Sequence, residues 1–323
     1  MNAHRPRVVV TDWDYEHLDE IHAVLDPLGV ELAAYRAGTE DEAIEAGRGS
    51  DALLVEYAPI TARVIGTLDR CRLIVRFGVG YNNVDVAAAT ERRIHVCNVP
   101  DFGPDEIADH AFLLLLAAAR KLVPMANDVQ SGIWDVSRYK PIGRLGGQTV
   151  GIIGLGRTGS GVAARARAFG MQVLAYQPNR PREYFTERGA RSVELEELLR
   201  TADFVSIQAA LNAQTQHLIG ERELGLMKRR AILINTARGG IVDGSALARA
   251  LKEGRIAGAA IDVVEREPIP PDDPLLGIPT CLITPHAAFY SEESVRDLKT
   301  LAAEEVARLL RGKPLRCPVN DVS

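Results

Sequence analysis

The sequence predicts an α/β protein with two doubly wound parallel-sheet domains. Short runs rich in Val, Ile and Leu alternate with helix-forming stretches along the chain, which is typical of parallel sheets covered by helices on both faces. The runs are apolar throughout, as strands buried on both faces are. The chain has 323 residues, too many for one compact core. We therefore expect two Rossmann- or flavodoxin-like domains with a cleft between them.

The first series of elements fills about the first hundred residues. Strands are predicted at residues 7–11, 30–34, 52–55 and 73–76. Helices are predicted between them at residues 15–25, 40–46 and 62–68. The pattern pauses at residues 98–104, where two prolines and a glycine mark a break between domains.

A second series follows this break. A long helix over residues 105–122 is favoured by Pro104 in its first turn and by Asp105 and Glu106 near the positive end of its dipole. Strands are predicted at residues 149–153, 173–176, 204–207, 231–235, 257–262 and 281–284. A helix over residues 160–169 separates the first two of these strands, and an amphipathic helix over residues 292–310 comes last.

Composition excludes several classes of function. Lys and Arg total 38 against 43 Asp and Glu, a net charge of −5, which argues against nucleic-acid and membrane-surface partners. The longest apolar run, residues 111–119, is far shorter than the roughly 20 residues that span a bilayer. Neither a signal segment nor a metal-binding cluster is predicted. The cysteines are widely spaced, as expected for reduced thiols of a cytoplasmic protein: Cys71, Cys97, Cys281 and Cys317.

A glycine-rich loop lies between the strand at 149–153 and the helix that follows it. Its sequence is Gly154-Leu155-Gly156-Arg157-Thr158-Gly159. In such a loop the first glycine makes the tight turn, the second lets the backbone approach a pyrophosphate, and the third lets helix and strand pack closely. The diphosphate then binds to free N–H groups at the start of the helix. The loop predicts a dinucleotide coenzyme.

The next strand ends at the position that selects between NAD and NADP. An acidic residue there would bind the ribose hydroxyls and repel a 2′-phosphate, but this chain has Gln177. Gln can bond a hydroxyl without repelling phosphate. Arg180 and Arg182 lie near, either as phosphate ligands or as solvated surface residues, since arginine is frequent in this chain. These residues leave both coenzymes open, and only the family resemblance given below slightly favours NAD.

Three ionisable residues each follow a predicted strand: Arg238, Glu267 and His286. The carboxyl ends of parallel strands meet at one edge of a sheet, so we expect these side chains to converge. Arginine binds carboxylates and polarises carbonyls. Histidine donates a proton near neutral pH, and a carboxylate beside it fixes its tautomer and favours its protonated form. Taken alone, Arg238 fits a surface ion pair, Glu267 a loop charge and His286 a structural histidine. Taken together, the three residues predict the reduction of an oxo acid.

These motifs resemble one known family. They are Gly78-Val79-Gly80, the loop from Gly154, Thr236-Ala237-Arg238-Gly239, residues 262–268 and Pro285-His286-Ala287-Ala288. In this order, and over nearly the whole chain, the sequence resembles the D-isomer-specific 2-hydroxyacid dehydrogenases. Residues 57–59, 108–110 and 286–293 are most similar to the branch that includes the C-terminal-binding-protein dehydrogenases.

The resemblance implies a role for each matching residue. Arg238 would bind the substrate carboxylate and carbonyl, His286 would be the acid/base, and Glu267 its partner. Other substrate contacts would come from Val79, Gly80, Tyr57, Arg76 and Phe289. Besides the glycine loop and Gln177, the coenzyme would contact Leu211, Asn212, Thr215, Thr236, Ala237 and Asp262, with Asp262 facing the nicotinamide carboxamide.

The resemblance also implies an organisation. A substrate domain would comprise residues 1–102 plus 292–323, and a dinucleotide-binding domain residues 103–291, with the active site in the cleft. A homodimer would form through the coenzyme domains, consistent with a helix at 107–122 richer in Leu and Ala than one buried face requires.

We therefore predict an NAD(P)-dependent oxidoreductase acting on a small 2-oxo or 2-hydroxy acid. The alternative is a corepressor-like protein that senses NAD(H) with little turnover, although such a sensor needs no proton donor. Besides Gln177, the chain departs from the family's usual residues at Asn82, Gln208 and Phe289. The identity of the acid and the physiological direction stay open.

Overall fold

The structure is a computed structural model that describes residues 5–322. The chain forms two compact units. One ends at Gly103 and resumes at Ser291, and the other spans Pro104–Tyr290. Each unit is built on one parallel sheet, so the predicted α/β class is confirmed.

The first unit contains a five-stranded sheet in the order β2-β1-β3-β4-β5. Its strands are β1 (Arg7–Val10), β2 (Glu31–Ala34), β3 (Ala52–Val55), β4 (Leu73–Arg76) and β5 (His95–Cys97). The helices between them are α1 (Asp19–Leu25), α2 (Glu40–Gly47), α3 (Ala62–Gly66) and α4 (Val86–Glu91). The central strands β3 and β4 are almost wholly buried, as their apolar sequences predict.

Three features of this unit differ from the sequence-based expectation. Helix α1 begins at Asp19 instead of residue 15, because Tyr15 and Leu18 are buried in the segment before it. Strand β2 is half exposed because it lies at the sheet edge. Helix α4 was not predicted, although Asp85 caps it by accepting a hydrogen bond from the N–H of Ala88.

The second unit contains a seven-stranded sheet in the order β12-β11-β10-β9-β6-β7-β8. Its strands are β6 (Thr149–Ile153), β7 (Gln172–Tyr176), β8 (Arg191–Ser192), β9 (Phe204–Ile207), β10 (Ile232–Asn235), β11 (Gly258–Ile261) and β12 (Cys281–Ile283). Its helices are α5 (Pro104–Ala119), α6 (Leu122–Gln130), α7 (Arg157–Ala168), α8 (Arg182–Glu187), α9 (Leu195–Thr201), α10 (Glu221–Leu226) and α11 (Gly244–Lys252). The last helix, α12 (Glu292–Leu310), returns to the first unit, where it packs on α1.

The order of these strands places the functional loops. The chain crosses from β7 and β8 back over β6 to β9, so the strand order reverses between β6 and β9. Ligands of open α/β sheets bind beyond the carboxyl ends of the strands at such a reversal. The glycine loop follows β6 directly, and the segments after β10, β11 and β12 leave the same edge of the sheet.

Two helix boundaries in this unit differ from the prediction. The helix predicted over 105–122 is interrupted at Lys121, whose φ of +53° ends α5 and starts α6. Helix α7 begins at Arg157, three residues earlier than predicted, so part of the glycine loop forms its first turn. None of the helices between residues 5 and 322 is long and apolar enough to cross a membrane.

Candidate active site

The backbone of the glycine loop explains each of its glycines. Gly154 has a φ of +94°, and a Cβ there would lie 2.7 Å from the backbone of Gln208. A Cβ on Gly159 would lie 2.1 Å from the carbonyl oxygen of Gly154. A Cβ on Gly156 would meet no atom within 4 Å, so the loop is open at the start of α7. This shape fits a diphosphate that approaches Gly156 and accepts hydrogen bonds from the N–H groups in the first turn of the helix.

At the end of β7, Gln177 is bonded to the glycine loop. Its Oε1 accepts a hydrogen bond of 3.0 Å from the N–H of Leu155. The hydroxyl of Tyr184, on α8, donates to the carbonyl of Leu155 at 2.7 Å. The guanidinium groups of Arg180 and Arg188 lie 5.0 and 3.6 Å from the ring centroid of Tyr184. The region after β7 therefore carries cationic and neutral polar groups beside the glycine loop.

His286 and Glu267 form a hydrogen-bonded pair. The Nδ1 atom of His286 lies 2.5 Å from Oε2 of Glu267, and Oε1 of Glu267 accepts the N–H of Val264 at 3.0 Å. Burial by itself raises the pKa of Glu267, but the hydrogen bond and charge of His286 outweigh it and leave the pKa below its usual range. The ionised carboxylate can only accept. Nδ1 of His286 is therefore the protonated donor, and Nε2 is left to exchange a proton with a substrate.

Arg238 acts on the same carboxylate. It follows β10, and its charge is one of the causes that lower the pKa of Glu267. Its Nη1 donates to the carbonyl of Ala237 at 2.6 Å, and its own carbonyl accepts the side-chain amide of Asn235 at 3.0 Å. The ring of Phe289 packs edge-on to His286 with centroids 6.4 Å apart. The second unit thus brings Arg238, Glu267, His286 and Phe289 into one cluster.

Asp262 lies beneath this cluster as a buried carboxylate. Burial by itself raises its pKa, but hydrogen bonds from His110 and Thr284 and from the N–H groups of Ala287 and Ala288 leave the pKa below its usual range. The N–H groups of Ala287 and Ala288 donate to its two oxygens at 3.0 and 2.8 Å. The carboxylate therefore organises the loop that carries His286, in addition to the coenzyme contact expected from the sequence.

The remaining coenzyme-binding candidates lie on two neighbouring loops. Thr236, after β10, exchanges hydrogen bonds of 3.0 and 3.2 Å with the side-chain amide of Gln208, after β9. In the loop after β9, Oδ1 of Asn212 accepts the N–H of Thr215, whose hydroxyl donates to the carbonyl of Ala210 at 2.7 Å. The protein's own hydrogen bonds therefore hold both loops in place.

The first unit contains the other substrate-binding candidates. A Cβ on Gly78 would lie 2.0 Å from Nη1 of Arg76, so the guanidinium lies directly against this loop. The side-chain amide of Asn98 donates to the carbonyl of Val79 at 2.7 Å, whereas no hydrogen bond within residues 5–322 uses the N–H groups of Val79 or Gly80. Tyr57 is 57% exposed. The loop therefore offers two N–H donors beside a cation, which suits a carboxylate.

Sequence reasoning assigned no individual role to two ionisable residues beside these groups. Glu56 is buried at the end of β3, where burial raises its pKa to about 7. His110 lies on α5, with Nε2 3.0 Å from the hydroxyl of Thr284. Glu56 lies directly after an apolar strand, which is a signal for a ligand-binding position. His110 belongs to residues 108–110, whose similarity to one branch of the family implied no role for it.

Comparisons with known proteins agree with this geometry. The sequence profile described as "D-isomer specific 2-hydroxyacid dehydrogenase, NAD binding domain" matches residues 112–288. A glyoxylate reductase of Korarchaeum cryptofilum is 45% identical over 275 residues, covering 84% of this chain and 82% of that one. The chain belongs to the D-isomer-specific 2-hydroxyacid dehydrogenases.

Solved structures support the same assignment. A glyoxylate reductase from Paecilomyes thermophila superposes with a TM-score of 0.89 at 31% identity, covering 98% of both chains. An acyclic imino acid reductase in complex with NADPH and D-Arg superposes with a TM-score of 0.88 at 29% identity, covering 97% of this chain and 100% of that one. This family member is an NAD(P)-dependent oxidoreductase acting on CH–OH groups of 2-hydroxy acids. The comparisons do not support the corepressor alternative, and the finer branch assignment stays a prediction.

Proposed function

We propose that this dehydrogenase reduces a small 2-oxo acid of the glyoxylate class. The observation that carries the proposal is the His286–Glu267 pair at 2.5 Å, with the charge of Arg238 acting on the same carboxylate. That set supplies a proton donor, its ionised partner and a carboxylate-binding cation. Glyoxylate is the first acceptor to test because it is the substrate in the names of the relatives above.

In the proposed reaction the guanidinium of Arg238 binds the substrate carboxylate and polarises the neighbouring carbonyl. Nε2 of His286 gives its proton to the carbonyl oxygen, and the C=O bond becomes CH–OH. Glu267 keeps its charge and stabilises the imidazolium before that transfer. The bound coenzyme supplies the hydride that the carbonyl carbon receives. Oxidation of the hydroxy acid reverses each transfer, with neutral His286 as the base.

Coenzyme binding is assigned to the glycine loop, Gln177 and the loops of Thr236 and Asn212. The opening at Gly156 supports a diphosphate there. Gln177 supports use of both NADH and NADPH, because a neutral amide bonds ribose hydroxyls but does not repel a 2′-phosphate. NADH is slightly favoured on the family resemblance alone.

We assign the unit containing Val79 and Arg76 as the substrate domain and the unit of Pro104–Tyr290 as the coenzyme domain. A homodimer is proposed through apolar side chains exposed around α5 and α6. The four cysteines are free thiols, which supports a cytoplasmic location.

The test is oxidation of NADH and NADPH with glyoxylate, hydroxypyruvate and phenylpyruvate. We expect turnover with at least one acceptor, and His286→Gln should lower kcat on the order of 10²- to 10³-fold with an unchanged Kd for NADH. His22→Gln, at an exposed position of the first unit, is the control. Near-normal turnover in His286→Gln would reject the mechanism. No turnover with any acceptor, together with tight NADH binding, would favour a sensor.

A further inference from the structure

The loop that carries His286 has an unusual backbone. His286 has a φ of +53°, in the left-handed region that side chains other than glycine rarely adopt. Its N–H donates to the carbonyl of Asp262 at 2.8 Å, and the next two N–H groups, of Ala287 and Ala288, donate to the Asp262 carboxylate. Besides these bonds to Asp262, the His286 N–H lies 3.1 Å from the carbonyl oxygen of Thr284, and Nδ1 of the ring is bonded to Glu267. The direction of the imidazole therefore depends in part on the position of the Asp262 carboxylate.

A second set of bonds, from side chains, holds the same carboxylate. The hydroxyl of Thr284 donates to Oδ1 of Asp262 at 2.5 Å. A hydroxyl has one hydrogen, so the Thr284 oxygen can only accept from its other neighbour. That neighbour is Nε2 of His110, at 3.0 Å, which also lies 3.5 Å from Oδ1 of Asp262. Nε2 of His110 must therefore carry a proton, in the neutral as in the charged form of the ring.

We propose that His110 and Thr284 are positioning residues for the reaction. His110, on helix α5, fixes the Thr284 hydroxyl by donating to it, and Thr284 fixes the Asp262 carboxylate. The carboxylate in turn fixes the backbone that directly follows His286, through the N–H groups of Ala287 and Ala288. This inference rests on the proposed role of His286 as proton donor. The interior placement supports it: the Asp262 side chain has no exposed surface and that of His110 is 20% exposed, so water does not readily replace a lost bond.

Two matched pairs of variants test the proposal. Gln keeps an N–H donor near the position of Nε2 and Met has a similar length without one, so His110→Gln and His110→Met differ mainly in the donor. Thr284→Ser keeps the hydroxyl, and Thr284→Val removes it at nearly constant shape. We expect His110→Met and Thr284→Val to lower kcat on the order of 10- to 100-fold, the effect of a hydrogen bond to a charged group. Loss of one buried hydrogen bond should lower the melting temperature by only a few degrees. The Kd for NADH should stay close to native, and His110→Gln and Thr284→Ser should recover most of the rate.

Hydrogen exchange gives a readout that does not depend on the role of His286. In the full-length protein with NADH bound, the amides of Ala287 and Ala288 should exchange faster in His110→Met and Thr284→Val than in the native protein, and at native rates in the Gln and Ser variants. Equal kcat and equal exchange in His110→Met and His110→Gln would overturn the proposal. So would a loss of rate that follows the melting temperature. If exchange responds as expected while His286→Gln keeps its turnover, the positioning contacts stand and the assignment of the proton donor fails.

Discussion

The charge of Glu267 predicts how activity depends on pH. Its carboxylate is held ionised by the hydrogen bond from His286, and in turn it stabilises the imidazolium. Glu267→Gln removes that charge but keeps a polar group of the same size. Because reduction needs the protonated imidazole, the limb on which kcat falls with rising pH should move to lower pH in the variant.

The control for this prediction is Glu265→Gln, two residues away. Glu265 lies 2.9 Å from a different histidine, His217. The comparison is kcat for the oxo acid against pH in the native protein and both variants. An unmoved limb in Glu267→Gln, or an equal movement in Glu265→Gln, would contradict the assigned partnership.

Glu56 should make the first unit less stable at high pH. Burial raises the pKa of Glu56 to about 7 from its ordinary value of 4.5. Between these two values the folded state holds a proton that the unfolded state has lost, so stability falls as pH rises and levels off above 7. Glu56→Gln removes this loss. We compare the free energy of unfolding of the variant with that of the native protein at each pH. The variant's advantage should be larger at pH 8 than at pH 5, by at most about 3 kcal/mol.

Urea unfolding of both proteins at the two pH values measures this difference. Glu45→Gln, at an exposed glutamate of the same unit, is the control and should show no such change. If Glu56→Gln gains nothing at pH 8 relative to pH 5, the buried carboxyl is already compensated by Arg76 and the prediction is wrong.

Gln177 predicts weak selection between the coenzymes. Its Oε1 accepts the N–H of Leu155, so the side chain is already turned toward the glycine loop. Gln177→Asp would add a charge that repels a 2′-phosphate, so kcat/KM for NADPH should fall relative to that for NADH. A native protein that already rejects NADPH several thousandfold, about 5 kcal/mol, would show that another group makes the selection.

At the scale of the element, two glycines of the glycine loop should differ in function, one being needed for folding and the other for coenzyme binding. Gly156 has open space around it, whereas a Cβ on Gly159 would lie 2.1 Å from backbone. Gly156→Ala should therefore keep its melting temperature but bind NADH at least tenfold more weakly, because the methyl group occupies the approach of the diphosphate. Gly159→Ala should lower the melting temperature itself. Thermal melting and fluorescence titration distinguish the two, and unchanged NADH binding in Gly156→Ala would contradict the assigned diphosphate position.

The elements show how far a sequence can predict this structure. Buried strands such as β3 and β6 are almost wholly apolar, and their limits are those that the sequence predicts. Three-residue strand β5 has too few residues to show a pattern. The break between α5 and α6 was missed because Lys121 is an ordinary helix former that here adopts a left-handed backbone.

The candidate site also contains residues that the sequence could predict and a contact that it could not. Arg238, Glu267 and His286 could be proposed because each lies in the segment that follows a strand, where parallel sheets place ligand-binding groups. The contact of His110 with Thr284 joins residues 174 positions apart. Such a contact exists only once α5 has packed against the sheet, so no local spacing could reveal it. The assigned roles themselves stay predictions until the variants are measured.

At the scale of the whole molecule, the second unit exposes an apolar surface of the kind that proteins bury against a partner. Leu113 is 53% exposed, Leu122 55%, Trp134 89% and Val136 68%, all on or just after α5 and α6. Apolar side chains this large and this exposed in one segment are typical of an interface between chains. The family resemblance implies a second copy of this chain as the partner. We therefore expect a dimer of twice 35.1 kDa, about 70 kDa, by light scattering at micromolar concentration.

Charged substitutions on this surface should separate the two copies. In Leu113→Arg with Leu122→Arg, burial at an interface would leave two unpaired cations, so the double variant should scatter as a monomer of about 35 kDa. Leu276→Arg is the matched control, because Leu276 is 42% exposed in the same unit but lies outside this segment. It should stay dimeric. A native protein that is already monomeric, or a double variant as dimeric as the control, would show that the apolar surface has another partner or none.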